Sequence, residues 1–385
     1  MTEHPKKQQL LELIRANPFI SQQDLAAELG LSRSAVAGYI AGLIRERKLL
    51  GRAYVLPDRR SVVCMGAANL DRKLRSLAPL ALHTSNPASQ AESYGGVARN
   101  IAENLARLGT PVALLTATGS DSSGAALLAH AESLGIDVHG ALRLDGAASG
   151  TYTAVLDANG DMMVALADMA LYDRLTPTFV AAREAQLASA ALVVADLNLP
   201  LATVEALLGQ ARRAVAPLVL VAVSEPKMAR LPRDLLGVRL LILNAGELAA
   251  RVARPLPDEA ALEAAMREVQ AQGARDVVVT RGAAGVLLTL PDGAIGRLAA
   301  PAAEVADVTG AGDAFAAAVC WSLAQRDDGT GGAGADALLL ACRRGLHLSA
   351  LTVTTLDTVH PHIGPDTLAA LEPDASAAVK TAVRT

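Results

Sequence analysis

The run Val305-Ala-Asp-Val-Thr-Gly-Ala-Gly-Asp-Ala-Phe-Ala-Ala-Ala-Val319 joins an extended, turn-rich stretch to an Ala-rich segment that reads as a helix over residues 313–323. Gly310, Ala311 and Gly312 then lie at a helix N-terminus, where unpaired backbone N–H groups and the helix dipole favour an anion. Glycine allows the chain to approach a phosphate closely. A carboxylate beside such a site is costly unless it has a task. Within reach of a hydroxyl, Asp313 would be the base for phosphoryl transfer. Taken alone, Gly-x-Gly-Asp is also an ordinary strand-to-helix turn, and these four residues leave both readings open. No Walker A sequence exists, because none of the six lysines (6, 7, 48, 73, 227 and 380) follows the required glycines. Any phosphate binding therefore falls to residues 310–312.

Such a turn needs a scaffold. From Ser61 onward, apolar runs beginning at Val62, Val112, Ala191, Leu218, Leu240 and Val277 alternate with Ala/Leu-rich stretches, which predicts a parallel sheet covered by helices on both faces. Two segments break the rhythm. Residues 71–92 form a long polar insertion, and residues 151–166 alternate around Asn159-Gly160, a hairpin signal. Together they predict a small β-lid, near 71–92 and 151–168, over the carboxyl edge of the sheet, where open α/β folds bind ligands. The 385 residues are 51% apolar and 19% charged, which excludes a disordered chain and allows one large domain plus a small one. Aromatics are 2%, so the core rests on Ala, Leu and Val. Cys64, Cys320 and Cys342 are too widely spaced for a disulfide framework or a zinc site. Met1 to Gln9 carries no apolar signal core, and the longer apolar stretches, such as residues 314–324, are too short for a bilayer. The expectation is a soluble cytoplasmic protein without a membrane partner.

The first sixty residues hold ten basic against six acidic side chains, net +4, while the remainder is net −8. Apolar spacing predicts helices over 7–17, 21–29 and 32–47, with Ser21 and Ser32 as N-caps and Gly30 ending the second. Lys48-Leu-Leu-Gly-Arg-Ala-Tyr-Val-Leu56 then reads as strand, turn and strand. This order resembles the winged helix-turn-helix of bacterial regulators, and Ile20-Ser-Gln-Gln-Asp-Leu-Ala-Ala-Glu-Leu-Gly-Leu-Ser-Arg-Ser-Ala-Val36 follows its pattern. The resemblance implies DNA as a partner, with Arg33 and Ser34 at the groove end of the recognition helix and Arg45, Arg47, Lys48 and Arg52 reaching phosphates. A small helical unit used for packing is the alternative.

Asp-x-Thr-Gly-Ala-Gly-Asp-Ala-Phe over residues 307–315 is similar to the signature of the ribokinase-like (PfkB) sugar kinases, and further matches follow in the family's order over about residues 61–365. Gly95-Gly-Val-Ala-Arg-Asn100 resembles the N-terminal signature, which implies that Gly95 and Gly96 let the chain approach the sugar and that Asn100 bonds its hydroxyls. Gly66-Ala-Ala-Asn-Leu-Asp71 resembles the first substrate strand, with Asn69 and Asp71 on the sugar. Asn244-Ala-Gly-Glu247 matches the Asn-x-x-Glu pattern tied to Mg²⁺ and phosphates, with Glu247 the metal-side residue. Thr280-Arg-Gly282 matches the Thr-x-Gly turn near the nucleotide, Thr309 belongs to the anion turn, and residues 348–359 would close over adenine.

Within the family, Thr84-Ser-Asn-Pro87, the run from Gly95 to Gly109, Leu156-Asp-Ala-Asn-Gly-Asp-Met162, Val194-Ala-Asp-Leu-Asn198 and Val223-Ser-Glu-Pro-Lys227 are most similar to pseudouridine kinases. Val221-Ala-Val223 stands where members commonly carry Asp-Pro. The resemblance implies that Ser85, Asn86, Asn198 and Lys227 meet the base; for Lys227 a solvated loop cation is the alternative. The whole predicts an α/β ribokinase-like Rossmann-type sandwich with a small β-lid at residues 61–375, preceded by a winged helix-turn-helix at 1–58. Its expected reaction is ATP- and Mg²⁺-dependent phosphorylation of the pseudouridine 5′-hydroxyl by a homodimer, with a requirement for K⁺ left open. A ribose or fructose kinase is the rival substrate reading. A transcription regulator whose kinase-like domain only senses its ligand is the rival class.

Overall fold

The computed structural model describes residues 5–17, 20–49, 60–213, 216–290, 293–325 and 335–369. It opens with three helices, α1 (Pro5–Ala16), α2 (Gln22–Leu29) and α3 (Arg33–Arg45). The Ser21 and Ser32 hydroxyls accept the N–H groups of Asp24 at 3.1 Å and Ala35 at 3.2 Å, the N-cap roles expected of them. Leu10, Ile14, Leu25, Val36, Ile40 and Leu43 close a small core separate from the rest. The expected wing over 48–56 is described only at Lys48 and Leu49; its remainder, with Arg52, lies outside the described residues.

The chain then runs through β1 (Val62–Met65), β2 (Asn69–Ser76), β3 (Ala88–Gly95), α4 (Val97–Arg107), β4 (Val112–Leu115), β5 (Ala117–Gly119), α5 (Ser122–Ser133) and β6 (Leu142–Leu144). Next come β7 (Thr151–Leu156), β8 (Met162–Asp168), α6 (Pro177–Ala181), α7 (Glu184–Ala188), β9 (Leu192–Asp196), α8 (Leu201–Ala211), β10 (Leu218–Val221) and β11 (Val238–Asn244). It ends with α9 (Ala245–Val252), α10 (Glu259–Ala271), β12 (Asp276–Thr280), β13 (Val286–Thr289), β14 (Ile295–Leu298), α11 (Ala311–Ala324) and α12 (Ala335–Thr352).

An eight-stranded sheet has the order β14-β13-β12-β11-β10-β9-β1-β4. Successive side chains alternate between its faces. Val62 and Cys64 enter a core with α4, α5, α11 and α12, while Val63 and Met65 enter the opposite core with α6 to α10. Six strands are parallel as the apolar runs predict, but at one edge β13 pairs antiparallel with both β12 and β14. The links into them are too short for a crossover helix, so the chain must reverse. The two irregular segments do pair: β2 joins β3 antiparallel and β7 parallel, and β7 joins β8, giving a four-stranded sheet of order β3-β2-β7-β8.

From β1 the chain moves outward to β4, whereas from β9 it moves outward on the other side to β10. The order therefore reverses between β1 and β9, and a crevice opens beyond their carboxyl ends. The first residues after those ends are Gly66 to Asn69 and Leu197-Asn198.

Candidate active site

Asn69 and Asp71 come from β2, whose register sets Asn69 opposite Gly95 of β3. The Asn69 Nδ2 donates to Asp71 Oδ1 at 2.5 Å. A Cβ at Gly95 would overlap the Asp71 carboxylate, so only glycine leaves that carboxylate room. Gly96 caps α4, and Asn100 in its first turns reaches across the crevice, donating from Nδ2 to Asp313 Oδ2 at 2.8 Å. The structure thus gathers Asn69, Asp71, Gly95, Gly96, Asn100 and Asp313. Burial, only partly offset by Asn69, Arg99 and Lys73, pushes the Asp71 carboxyl up to about 6.

Asp313 lies in the first turn of α11, which Gly310 caps with φ 81°. A side chain at Gly310 would be strained at that angle and would strike the Thr358 carbonyl. Burial pushes the Asp313 carboxyl up to about 7; Asn100 and Arg99 oppose the rise, and Asp196 and Asp71 add to it. The Ala311 N–H already bonds the Val308 carbonyl at 3.3 Å, so of residues 310–312 its amide is the least available to an anion. Thr309 donates its N–H at 2.9 Å and its hydroxyl at 2.7 Å to Asp307 Oδ1, while Lys73 of β2 reaches Asp307 Oδ2 at 2.6 Å. That ion pair ties the lid sheet to the turn. Residues 348–352 belong to the last turns of α12, so only 353–359 form the loop expected over adenine; its Thr358 lies against Gly310.

Asn244 and Thr280 end the neighbouring strands β11 and β12 and stand in register, with Gly282 in the turn that follows. Asn244 and Glu247 form a capping box on α9: Asn244 Oδ1 accepts the Glu247 N–H at 2.9 Å, and Glu247 Oε2 accepts the Asn244 N–H at 2.7 Å. Their spacing thus has a structural task that the motif match did not anticipate. Burial raises the Glu247 carboxyl pKa and nearby Glu225 raises it further, against the Asn244 hydrogen bond.

The residues expected on the base side divide. Asn198 is buried beyond β9, its N–H donating to Asp196 Oδ1 at 2.8 Å. Lys227 lies in the 3-10 turn Glu225–Arg230, where burial and then Arg230 lower its proton affinity while Asp173 and Asp196 oppose the fall. Asn86 is spent elsewhere: its amide accepts the Ala81 N–H at 2.8 Å and donates to the Ala81 and Thr84 carbonyls. Those bonds close the 81–86 turn, and Ser85 is exposed on it. Asn86 is a loop clasp here, because the short Asn side chain bonds its own backbone first.

Asp196 went unassigned in the sequence, yet it organises the crevice. Its carboxylate is 1% exposed and accepts the N–H groups of Ala67 at 3.0 Å, Ala98 at 2.9 Å and Asn198 at 2.8 Å, joining β1, α4 and β9. A lone carboxylate ending the apolar run Val193-Val-Ala-Asp196 was the available signal. In the helical unit, Arg33, Ser34 and Arg45 are exposed on α3. Arg47 instead pairs with Asp137, and Lys48 lies 3.8 Å from Glu46, because carboxylates within reach take their charge.

Residues 59–363 match the model of the pfkB family carbohydrate kinases, and residues 4–47 match that of a winged helix-turn-helix DNA-binding unit. The chain is 31% identical to an uncharacterized sugar kinase, YeiI, of Escherichia coli K12 over 319 residues, 82% of this chain and 87% of that one. It is 33% identical to the pseudouridine kinase of the same organism over 268 residues, 69% and 84% of the two chains. The fold superposes on Arabidopsis thaliana ribokinase complexed with ribose and ATP with a TM-score of 0.68 at 20% identity, covering 81% of this chain and 98% of that one. No helix among the described residues is long and apolar enough to cross a membrane.

Proposed function

We propose, for a chain that belongs to the pfkB family of carbohydrate kinases and is an ATP-dependent phosphotransferase, that the acceptor is the 5′-hydroxyl of pseudouridine. The observation that carries the reading is the crevice itself. Asp313, the N-terminus of α11 and the Asp71 end of β2 meet there, with Asn198 buried just beyond β9, and in this reading Asn198 and Lys227 serve the base attached to the sugar. The likeness to a pseudouridine kinase supports it further.

In this mechanism Asp71 and Asn69 grip the ribose hydroxyls, and Asn100 orients the Asp313 carboxylate. Asp313 accepts the proton of the attacking hydroxyl as the bond to phosphorus forms. The free amides of Gly312 and Asp313, at the positive end of α11, face the charge that develops on the transferring phosphoryl group. The four-stranded sheet closes over the acceptor and excludes water, which protects ATP from hydrolysis.

No group of three metal-ligating side chains stands together among the described residues. Glu247, whose proton affinity is raised by burial and by nearby Glu225, and Glu225 itself are the carboxylates that would hold a Mg²⁺ brought by the nucleotide. When bound there, Mg²⁺ offsets phosphate charge.

Residues 1–58 form the DNA-binding part of the same proposal, with Arg33, Ser34 and Arg45 exposed toward a groove. A homodimer belongs to it as well: edge strand β8 exposes Met162, Val164 and Leu166, and such an edge can pair with its symmetry copy. The acceptor test is ATP consumption by the full chain with pseudouridine, uridine, ribose, fructose and adenosine. Pseudouridine should be preferred. A preference for ribose or fructose over every nucleoside refutes the base-binding roles and leaves the phosphotransferase in place.

A further inference from the structure

Behind the Asn100–Asp313 contact stands a set of buried groups that the mechanism above leaves without a task. Arg99, 4% exposed, donates from Nη1 to the Tyr94 carbonyl at 2.8 Å and to Asn100 Oδ1 at 2.9 Å. Its Nη2 pairs with Glu103 one turn further along α4. Glu103 is 3% exposed and also receives Arg107 at 2.8 Å and His130 at 3.5 Å, so it is held from two helices, α4 and α5.

A primary amide has a donor end and an acceptor end, and the two differ little in shape. If Asn100 turned its oxygen toward Asp313, two acceptors would meet and the base would be pushed away from its ionised form. Arg99 has only donors to offer. It therefore accepts only Oδ1 as a neighbour and leaves Nδ2 for Asp313, which is the arrangement observed.

We infer that Arg99, anchored by Glu103, is a positioning residue for phosphoryl transfer that locks the Asn100 amide with its N–H facing the base. The inference rests on Asp313 being that base. The charged groups facing Asp313 are Asp71 from β2 and Asp196 from β9, which raise its proton affinity, and Arg99 from α4, which lowers it. The neighbouring α12 contributes at this turn the uncharged Ser349, donating to the Ala311 carbonyl at 2.7 Å. Loss of Arg99 removes one opposing charge and frees the amide to turn. Both effects move the ionisation of the base to higher pH.

The test uses the full chain and whichever acceptor the panel selects. Arg99→Met leaves Glu103 buried with fewer partners, so Arg99→Met/Glu103→Met is made beside it, because replacing both members of a buried pair by apolar groups is far better tolerated than removing one. In the folded variants, kcat at pH 7 should fall by about 10- to 100-fold with KM for ATP within about twofold. The acid limb of the pH profile should shift upward by about one unit, so that the deficit shrinks above about pH 8.5. Arg99→Lys, which keeps a donor and a charge, should recover part of the rate. A folded double variant with the wild-type kcat and pH profile overturns the inference, and so does a rate loss that is the same at every pH. Should both Met variants fail to fold, Arg99→Gln, which keeps an N–H donor and removes the charge, carries the test: a smaller upward shift is expected, and an unshifted profile overturns the inference. Asp313→Asn is measured in parallel. If that variant keeps its turnover, the reading of the base has failed; if it is inactive and the Arg99 variants are normal, only the present inference has failed.

Discussion

Replacing Asp313 with Asn changes one oxygen for an NH2 group of the same size, and its consequences follow from an environment that burial and two neighbouring carboxylates have made hostile to charge. With the carboxyl at about 7, roughly half of it is ionised at pH 7 and about a tenth at pH 6. Wild-type kcat/KM should therefore rise nearly tenfold per pH unit below 7 and level off above it. Asp313→Asn removes the proton acceptor, so turnover should fall by about 10²- to 10⁴-fold, or about 3–5 kcal/mol on the barrier, with nucleotide affinity retained. Stability should move the other way. The folded carboxyl has a higher pKa than the unfolded one, near 3.9, so the folded state holds the proton more tightly. Its stability is complete below about pH 4 and declines as pH climbs to 7. Asn escapes that decline. The variant should melt at the wild-type temperature near pH 4 and several degrees higher near pH 8, the difference amounting to a few kcal/mol at most because the site is partly solvated. Coupled-enzyme assays across pH and thermal melts at the two extremes read both effects. Near-normal turnover in the variant, or a wild-type rate that is flat from about pH 5.5 to 8, would refute the reasoning.

Three further outcomes follow from the geometry. Lys227→Met keeps much of the stem and removes the ammonium, so the KM for pseudouridine should rise far more than that for ATP; equal changes in steady-state kinetics would return Lys227 to the status of a loop cation. Asp196→Ala strands three buried N–H groups, each worth about 1–3 kcal/mol, and should destabilise the chain by several kcal/mol in urea unfolding, whereas Asp196→Asn, which keeps an acceptor oxygen, should cost clearly less. A chain beginning at Ser61 should keep phosphotransfer and lose DNA binding measured by fluorescence anisotropy, and the full chain's affinity should weaken as salt rises; an inactive but folded truncation would show that the two units share more than the Arg47–Asp137 pair.

Much of this molecule was legible in the order of its residues. Unbroken apolar runs bounded by helix formers specify strands buried on both faces, and the caps at Ser21, Gly30 and Ser32 follow from local chemistry that acts within three or four residues. The site motifs at 95–100, 244–247 and 307–315 are local in the same way. What lay beyond the sequence was anything that depends on which distant groups meet. Asp196 is an unremarked carboxylate until the reversal of strand order between β1 and β9 brings the amides of Ala67 and Ala98 onto it. The antiparallel edge at β13 and β14, the Lys73–Asp307 tie between lid and turn, and the retention of Asn86 by its own loop were likewise invisible. Asn244 and Glu247 show the reverse case, where a spacing matched to a function proved to close a capping box as well. Residue type and spacing determine which groups a segment can present. Only the packed fold decides which are desolvated and which find partners, because burial and hydrogen bonding act through space, over separations such as the 213 residues between Asn100 and Asp313.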